Sequence, residues 1–421
     1  MTDRRRPDGR SPASAAPSKR EEPPRADGSS PLRIPSPAWL PTDDVIGPRA
    51  DRQVLVVGTT PAGLTLTRLL GAAGYEPVLV SGADPPVTSR VTYISPAALE
   101  VLGSLDVGAA LHDRGRAIAG ATVRRTDDPE SNGTVDVATS GAPDPGRAPP
   151  VVVPTPILLR TLRDAVPAAA TVQDRAVDSI SRGTEGIRVT FDDGVRESFD
   201  VVVDVGGRSE PLRPDERDAD GEFRRYETVV DADAGTRRVR DVWGPDAVVQ
   251  RLPGVGGEEF VRVAVPADGA AGRDARHALP DRQWVPDAGV FERRRMLHRR
   301  LPGGEPPRWW WGDGRVAYCG PAARPAAPAA GVGESLGITD ALGLVSALTR
   351  DVGARAAVDA YAAGRARRLD ELQRTVTRDG AAVSTPRATD HPLGSIRVLR
   401  AIALEPFFGT APGPLGPGDH R

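Results

Sequence analysis

The amino-acid sequence predicts an α/β fold in which a βαβ domain built on a parallel sheet is joined by a second, mainly antiparallel β domain. Three observations predict it. Short, uniformly apolar runs alternate with helix-spaced leucines over the first half of the chain, and a glycine-rich turn joins the first run to the first helix. From about residue 222 that alternation gives way to closely spaced β-like runs separated by Gly/Pro loops.

Residues 1–50 mix Arg, Asp, Glu, Pro and Ser with hardly any aliphatics, and are expected to form a disordered tail that folding does not need. From Arg52 the texture changes. Val54-Leu55-Val56-Val57 ends in Gly58, Pro61 to Ala73 carries Leu64, Leu66, Leu69 and Leu70 at helical spacing, and Pro77-Val78-Leu79-Val80 is apolar again. Strands this uniformly apolar are those buried on both faces of a parallel sheet. A helix is expected over residues 96–105, with Ser95 as its N-cap before Pro96, and Leu158, Leu159 and Leu162 begin another. Ile187 to Phe191 runs into the turn Asp192-Asp193-Gly194, and Asp200 to Val205 is the next buried strand. Strands follow at Glu227 to Val230, Ala247 to Leu252 and Phe260 to Val265, then a buried strand over residues 315–320 and helices over Ser335 to Leu348 and Ala356 to Val376. The domain reading is 51–210 with 312–380 for the βαβ domain, 211–311 for the β-rich substrate domain, and 381–421 for a helical or irregular tail.

Composition narrows the function classes. The 421 residues are 39% apolar, enough for a large packed core, and the formal net charge of -2 supplies no basic field for nucleic acid. Cys319 is the sole cysteine, so no intramolecular disulfide forms, and His277, His298 and His391 fall on no metal-ligand spacing. Arg4, Arg5 and Arg6 are not followed by an apolar export segment, and no 18-residue apolar run exists. A cytoplasmic protein without membrane insertion, working on a small molecule, is the expectation; oligomeric state is left open.

Gly58-Thr59-Thr60-Pro61-Ala62-Gly63 occupies the place of a GxGxxG turn between strand and helix. There the first glycine makes the turn, the third lets helix and strand approach, and the helix N-terminus offers free N–H groups to a pyrophosphate. Thr60 replaces the second glycine and puts a Cβ where backbone would meet phosphate. A dinucleotide site and an empty βαβ turn both remain open at this stage. At the end of the second strand, where an acid would accept bonds from an adenosine ribose, stands Ser81: either Asp84 substitutes from three residues on, or the contact is missing and Ser81-Gly82 is a plain strand end, the reading preferred.

The order of segments resembles the class A FAD-dependent monooxygenases, the family of p-hydroxybenzoate hydroxylase and the ubiquinone-biosynthesis hydroxylases, from about Gln53 to Arg378. Val57-Gly58-Thr59-Thr60-Pro61-Ala62-Gly63-Leu64 is similar to the family's VGAGPAGL, and Arg90 followed by Ser95-Pro96-Ala97-Ala98-Leu99-Glu100-Val101-Leu102 to its arginine and SPRALELL. Trp243-Gly244-Pro245-Asp246 and Gln250-Arg251-Leu252-Pro253 resemble its substrate-domain stretch. Gly314 to Arg324 resembles GRVxLxGDAAH, and Gly331-Val332-Gly333-Glu334-Ser335-Leu336-Gly337-Ile338-Thr339-Asp340-Ala341 resembles GQGxNLGIEDA. The resemblance implies a Rossmann-like FAD-binding domain of the glutathione-reductase type. It also implies FAD contacts at Gly58, Pro61, Ala62, Gly63, Arg90, Gly320, Gly331, Gly333 and Leu336, reduction by NAD(P)H, and oxygenation of a small aromatic or apolar substrate. No side chain is assigned as catalytic, since the cofactor carries that chemistry.

Departures from the pattern fall on ligand-contacting positions. Pro321 and Arg324 stand for the aspartate and histidine of GDAAH, Gly206 and Glu210 for the aspartate and serine of DGxxS, and Thr155 for the arginine of VPRxxL. Low FAD occupancy is therefore expected, and a non-catalytic relative that has lost FAD and serves as a binding or scaffold protein is the alternative. Arg324 is expected to be partly solvated, and Gly333→Val to be worse tolerated than Arg324→His. Of Trp309-Trp310-Trp311, part is expected in the core and part at the surface. Arg293-Arg294-Arg295 with Arg299-Arg300 reads as a solvated helix face, with a site for an anionic substrate or NADPH phosphate as the alternative, and Ile396 to Phe408 as an amphipathic segment able to dock on the protein or on a second subunit.

Overall fold

The computed structural model describes residues 52–81, 89–125, 135–136, 148–206, 210–212, 222–266, 297–302, 311–324, 330–350, 352–377 and 394–404. The expectations for residues 1–50, Asp84, Trp309, Trp310 and Arg293 to Arg295 lie outside these.

β1 (Val54–Val57), α1 (Pro61–Ala72) and β2 (Val78–Val80) make the βαβ unit. Helix α1 begins with Pro61 after the N-cap Thr60, and the chain leaves it through Gly74 at φ 83°, a conformation that favours glycine. β3 (Val91–Ile94) precedes α2 (Pro96–Gly103), which has Ser95 as its N-cap as its sequence predicts, and then α3 (Gly108–Arg114). β4 (Arg116–Ala117), β5 (Gly120–Arg125), β6 (Val135–Asp136) and β7 (Val151–Pro154) lead to α4 (Thr155–Asp164) and β8 (Thr171–Gln173). An antiparallel meander of β9 (Val177–Arg182), β10 (Ile187–Phe191) and β11 (Arg196–Phe199) returns the chain to β12 (Val201–Asp204). β13 (Glu222–Asp231), β14 (Arg238–Trp243), β15 (Val248–Pro253), β16 (Glu258–Pro266) and β17 (Leu297–Pro302) follow. β18 (Gly312–Asp313), β19 (Val316–Tyr318), α5 (Gly333–Leu348), α6 (Ala354–Thr377) and α7 (Gly394–Leu404) complete the described chain.

The α/β expectation holds. One sheet has the order β18-β19-β12-β1-β2-β8, parallel except for the β18 edge. The chain winds outward from β1 through β2 to β8, then returns to the other side of β1 with β12. That reversal makes the carboxyl ends of β1 and β12 a topological switch point, where open α/β sheets leave a crevice for ligand. The second large sheet runs β17-β13-β16-β15-β14-β5-β6 and is antiparallel except for β14 with β5, so Gly120–Arg125 from the earlier part of the chain joins it. A small sheet β3-β7-β4 stands apart from both in its pairing.

The basic run differs from its expectation. Arg299 and Arg300 lie on the edge strand β17, paired with Arg225 and Arg224 of β13, and not on a helix. An edge strand solvates charge as readily as a helix face does, so charge alone does not discriminate the two. The amphipathic segment does dock on the protein as α7. Arg400 and Asp241 of β14, both fully buried, form a two-bond ion pair at 2.7 and 2.8 Å, and Tyr93 Oη donates to the Ala403 carbonyl at 2.9 Å. The helix thereby ties β14 to β3. Among the described residues no helix is long and apolar enough to cross a membrane, and no His/Cys/Asp/Glu group is placed to hold a metal.

Candidate functional site

The glycine turn has the geometry its sequence predicts. Gly58 sits at φ 116°, and its N–H donates to the Val80 carbonyl at 2.9 Å, which fixes the end of β1 beside the end of β2. At Gly63 a Cβ would fall inside contact distance of the Gly58 carbonyl and 2.9 Å from Val205 Cγ2, so only glycine permits this approach of α1 to the sheet. Thr60 acts as a cap: its Oγ1 accepts the Gly63 N–H at 3.3 Å. The substitution thus gives the helix terminus an oxygen of its own where a phosphate oxygen would otherwise accept.

Other predicted residues separate into packing and site. Ala62 and Gly320 are placed where α1, α5 and the turn after β19 meet: a Cβ on Gly320, at φ 56°, would stand 3.1 Å from Gly337 Cα and 3.7 Å from Ala62 Cβ. Pro61 is buried at the first helical position. Arg90 has an exposed side chain while its backbone is held, the N–H donating to Glu227 Oε2 at 3.1 Å and the carbonyl accepting from Thr155 at 3.0 Å. Gly333 begins α5, and Leu336 is half-buried one turn in. The left-handed residue in that loop is Gly331, at φ 68°, where a Cβ would lie 2.7 Å from both Arg262 Nη1 and Gln250 Oε1.

Arg324 overturns its expectation. It is 1% exposed, and its guanidinium makes two bonds to Asp340, at 2.6 and 2.7 Å, while lying 5.4 Å over the ring of the buried Trp311. Asp340 also accepts the Gly320 N–H at 2.9 Å and pairs with Arg365 at 2.5 Å. Burial pushes the Asp340 carboxyl up, but Arg324, Arg365 and the hydrogen bonds outweigh it and hold it below the usual carboxylate range. Arg324 is a core ion-pair member, so it offers no charge to a ligand.

The three positions that carry the family's polar ligands differ in their surroundings. Thr155 is buried and shares a 2.9 Å hydrogen bond with Thr92 Oγ1. A Cβ on Gly206 would meet nothing within 4 Å, so the missing carboxylate leaves open room, while the Gly206 N–H donates to Asp204 Oδ1 at 3.0 Å. Pro321 follows Gly320 in a half-buried turn and brings neither an N–H nor a carboxylate. Ser335 donates to the Tyr93 carbonyl at 3.0 Å and accepts from the Ser95 N–H at 2.7 Å, pinning the start of α5 to β3.

Beside the Gly331 loop lies a buried charged network invisible to motif reading. Glu227 of β13 accepts from Arg262 Nε at 2.8 Å and Ser89 Oγ at 3.0 Å, and Arg225 stands 3.5 Å away. Arg262 reaches on to Ser89 and the Val91 carbonyl, and Gln250 donates to the Ala330 carbonyl at 3.0 Å. Burial and the repulsion of Arg225 and Arg400 bring Arg262 down to about 10 despite the opposing pull of Glu227. Glu334, half-buried at the start of α5, is pushed up to about 7 by burial against the pull of Arg225 and Arg262. Glu227 lies 35 positions from Arg262 and 138 from Ser89, so no local spacing announces the network.

A dinucleotide thus fits in part. The adenosine-pyrophosphate end has its turn, its helix terminus and open room at Gly206. At the place the resemblance gives to the ring end, a Cβ on the left-handed Gly331 would meet Arg262 and Gln250.

Residues 51–199 match the family model described as FAD binding domain. Several solved structures align over most of the chain. The Klebsiella pneumoniae HpxO complexed with FAD and uric acid is 18% identical, with 85% of this chain and 92% of that one covered at a TM-score of 0.60. The chain has the fold of the class A FAD-dependent monooxygenases. P. aeruginosa PqsL in complex with 2-aminobenzoylacetate is likewise 18% identical, covering 84% of this chain and 99% of its own at a TM-score of 0.59. The tetrameric form of 2-methyl-3-hydroxypyridine-5-carboxylic acid oxygenase is 16% identical, with 85% and 96% covered and a TM-score of 0.58. No curated protein matches the sequence.

Proposed function

We propose that this chain is an FAD-dependent oxidoreductase of the monooxygenase type, cytoplasmic and reduced by NAD(P)H, which acts on a small aromatic or apolar substrate and holds FAD more weakly than its fold allows. The observation that carries this is the left-handed Gly58 with Gly63 pressed onto its carbonyl, at the switch point of a parallel sheet. That arrangement is demanding and serves the approach of a pyrophosphate to the start of α1. Gly58, Pro61, Ala62 and Gly63 would shape the pyrophosphate end, Arg90 would offer charge from the surface, and Gly320, Gly331, Gly333 and Leu336 would form the backbone path toward the ring.

Bound FAD supplies hydride acceptance and reaction with dioxygen. The chain's own residues supply the surroundings: Arg225 and Arg262 give the interior beside Gly331 a positive bias, and burial raises the Glu334 carboxyl to about 7. The structures named above contain uric acid and 2-aminobenzoylacetate, compounds of the size proposed for this substrate.

A non-catalytic binding or scaffold role is the second reading, favoured by Pro321 and by the contact of Arg262 and Gln250 with Gly331. The protein reconstituted with FAD and mixed with NADH or NADPH separates the two. The oxidoreductase loses its absorbance near about 450 nm and regains it in air, and consumption of the reductant rises with an aromatic substrate. A protein whose flavin is never bleached is the scaffold.

A further inference from the structure

At the carboxyl edge of the parallel sheet, three strand ends stand side by side. Gly58 directly follows β1, Ser81 follows β2 and Asp174 follows β8, with Val57 paired to Val80 and Val80 to Gln173. The Ser81 N–H donates to the Gln173 carbonyl at 3.1 Å, and Ser81 Oγ donates to Asp174 Oδ1 at 2.6 Å. A dinucleotide fold needs an acid at the end of its second strand to accept the ribose hydroxyls. Here that strand ends in a short neutral side chain, and a carboxylate comes from the next strand, roughly 4.8 Å across.

We propose that Asp174, oriented by the Ser81 hydroxyl, accepts the 2′- and 3′-hydroxyls of the adenosine ribose, so that the acid of this site has moved from β2 to β8. The carboxylate is exposed, which leaves it open to ligand. The adjacent guanidinium of Arg175 is turned to Asp193 at 3.0 Å and Glu197 at 3.1 Å instead. Ser81 spends its proton on Oδ1, which fixes the carboxylate at the edge where the Gly58 turn delivers the pyrophosphate. The ligand class is an adenosine diphosphate with a free ribose diol; a 2′-phosphate would meet the carboxylate with like charge. The inference rests on the dinucleotide site proposed above.

The test titrates the full chain with FAD, ADP, 2′-phospho-ADP and FMN, following heat or flavin fluorescence. A charge-assisted hydrogen bond implies that Asp174→Asn weakens FAD and ADP by about tenfold or more, leaving FMN and the thermal midpoint unchanged. The wild type prefers ADP to 2′-phospho-ADP, and Asp174→Asn narrows that preference. Ser81→Glu added to Asp174→Ala restores FAD affinity by returning the acid to β2. If the wild type binds FAD and Asp174→Asn binds it equally well, or loses FMN in the same proportion, the inference is overturned while the flavin site stands. If the wild type binds ADP through Asp174 but not FAD, the inference stands and the flavoenzyme proposal fails. A chain that binds neither FAD nor ADP overturns both.

Discussion

Asp340→Asn is expected to cost about 3–5 kcal/mol of stability, because it strands the buried guanidinium of Arg324 without its counter-ion and weakens the acceptor of the Gly320 N–H. Arg365, partly exposed, can turn to water, but Arg324 cannot. Thermal and urea melts check the magnitude, and Asp340→Leu combined with Arg324→Met should recover much of the loss, since a packed apolar pair replaces a paired charge at little net cost. The pH dependence has a definite sign. The folded carboxyl lies below its unfolded value, so its contribution is present above that value and disappears as pH falls through the folded one. The wild type therefore loses stability in acid below about pH 4, and this part of the profile flattens in Asp340→Asn. A variant as stable as the wild type at pH 7 would show that Arg324 is not held by this pair.

Gly63→Ala is expected to remove about 3 kcal/mol or more and to abolish any dinucleotide affinity, since the new methyl cannot coexist with the Gly58 carbonyl or with Val205 Cγ2 at 2.9 Å. Helix α1 must lift from the sheet, and the turn that shapes the pyrophosphate end goes with it. Gly206→Asp makes the informative contrast. Its Cβ meets nothing within 4 Å, so the fold should tolerate it, and it returns a carboxylate to the open room beside β12. Melting midpoints and FAD titration of both variants check this; equal stability at the two positions would contradict the packing described for α1.

The parts of the fold legible in the sequence are those whose burial is local in origin. Val54–Val57 and Val201–Asp204 read as strands because both faces of a parallel sheet are covered, and almost every residue must then be apolar. Ser95 and Pro96 announce α2 by cap chemistry that acts within one turn. β8 gives no such signal: it is three residues long, lies at the sheet edge and exposes Val172, so Asp174 comes beside Ser81 only through pairing between strands 93 residues apart. Arg324 looked like a solvated charge because its partner lies sixteen positions on, across the turn into α5. The Glu227–Arg262 network escaped for the same reason, being assembled by the register of β13 with β16. Motif comparison located the lost ligands at Thr155, Gly206 and Pro321, yet only the structure distinguishes Gly206, which leaves room, from Thr155, which has a new partner in Thr92.

The central claim is that the dinucleotide site persists in shape while its side-chain ligands have been thinned. Equilibrium titration of the purified chain with FAD, alone and as Gly206→Asp, tests it most directly. Loss of several hydrogen bonds of about 1–3 kcal/mol each places the wild-type Kd in the micromolar range or weaker, and the restored carboxylate should tighten it by about tenfold. Near-stoichiometric FAD retained through purification, or no binding by either chain, would contradict the account.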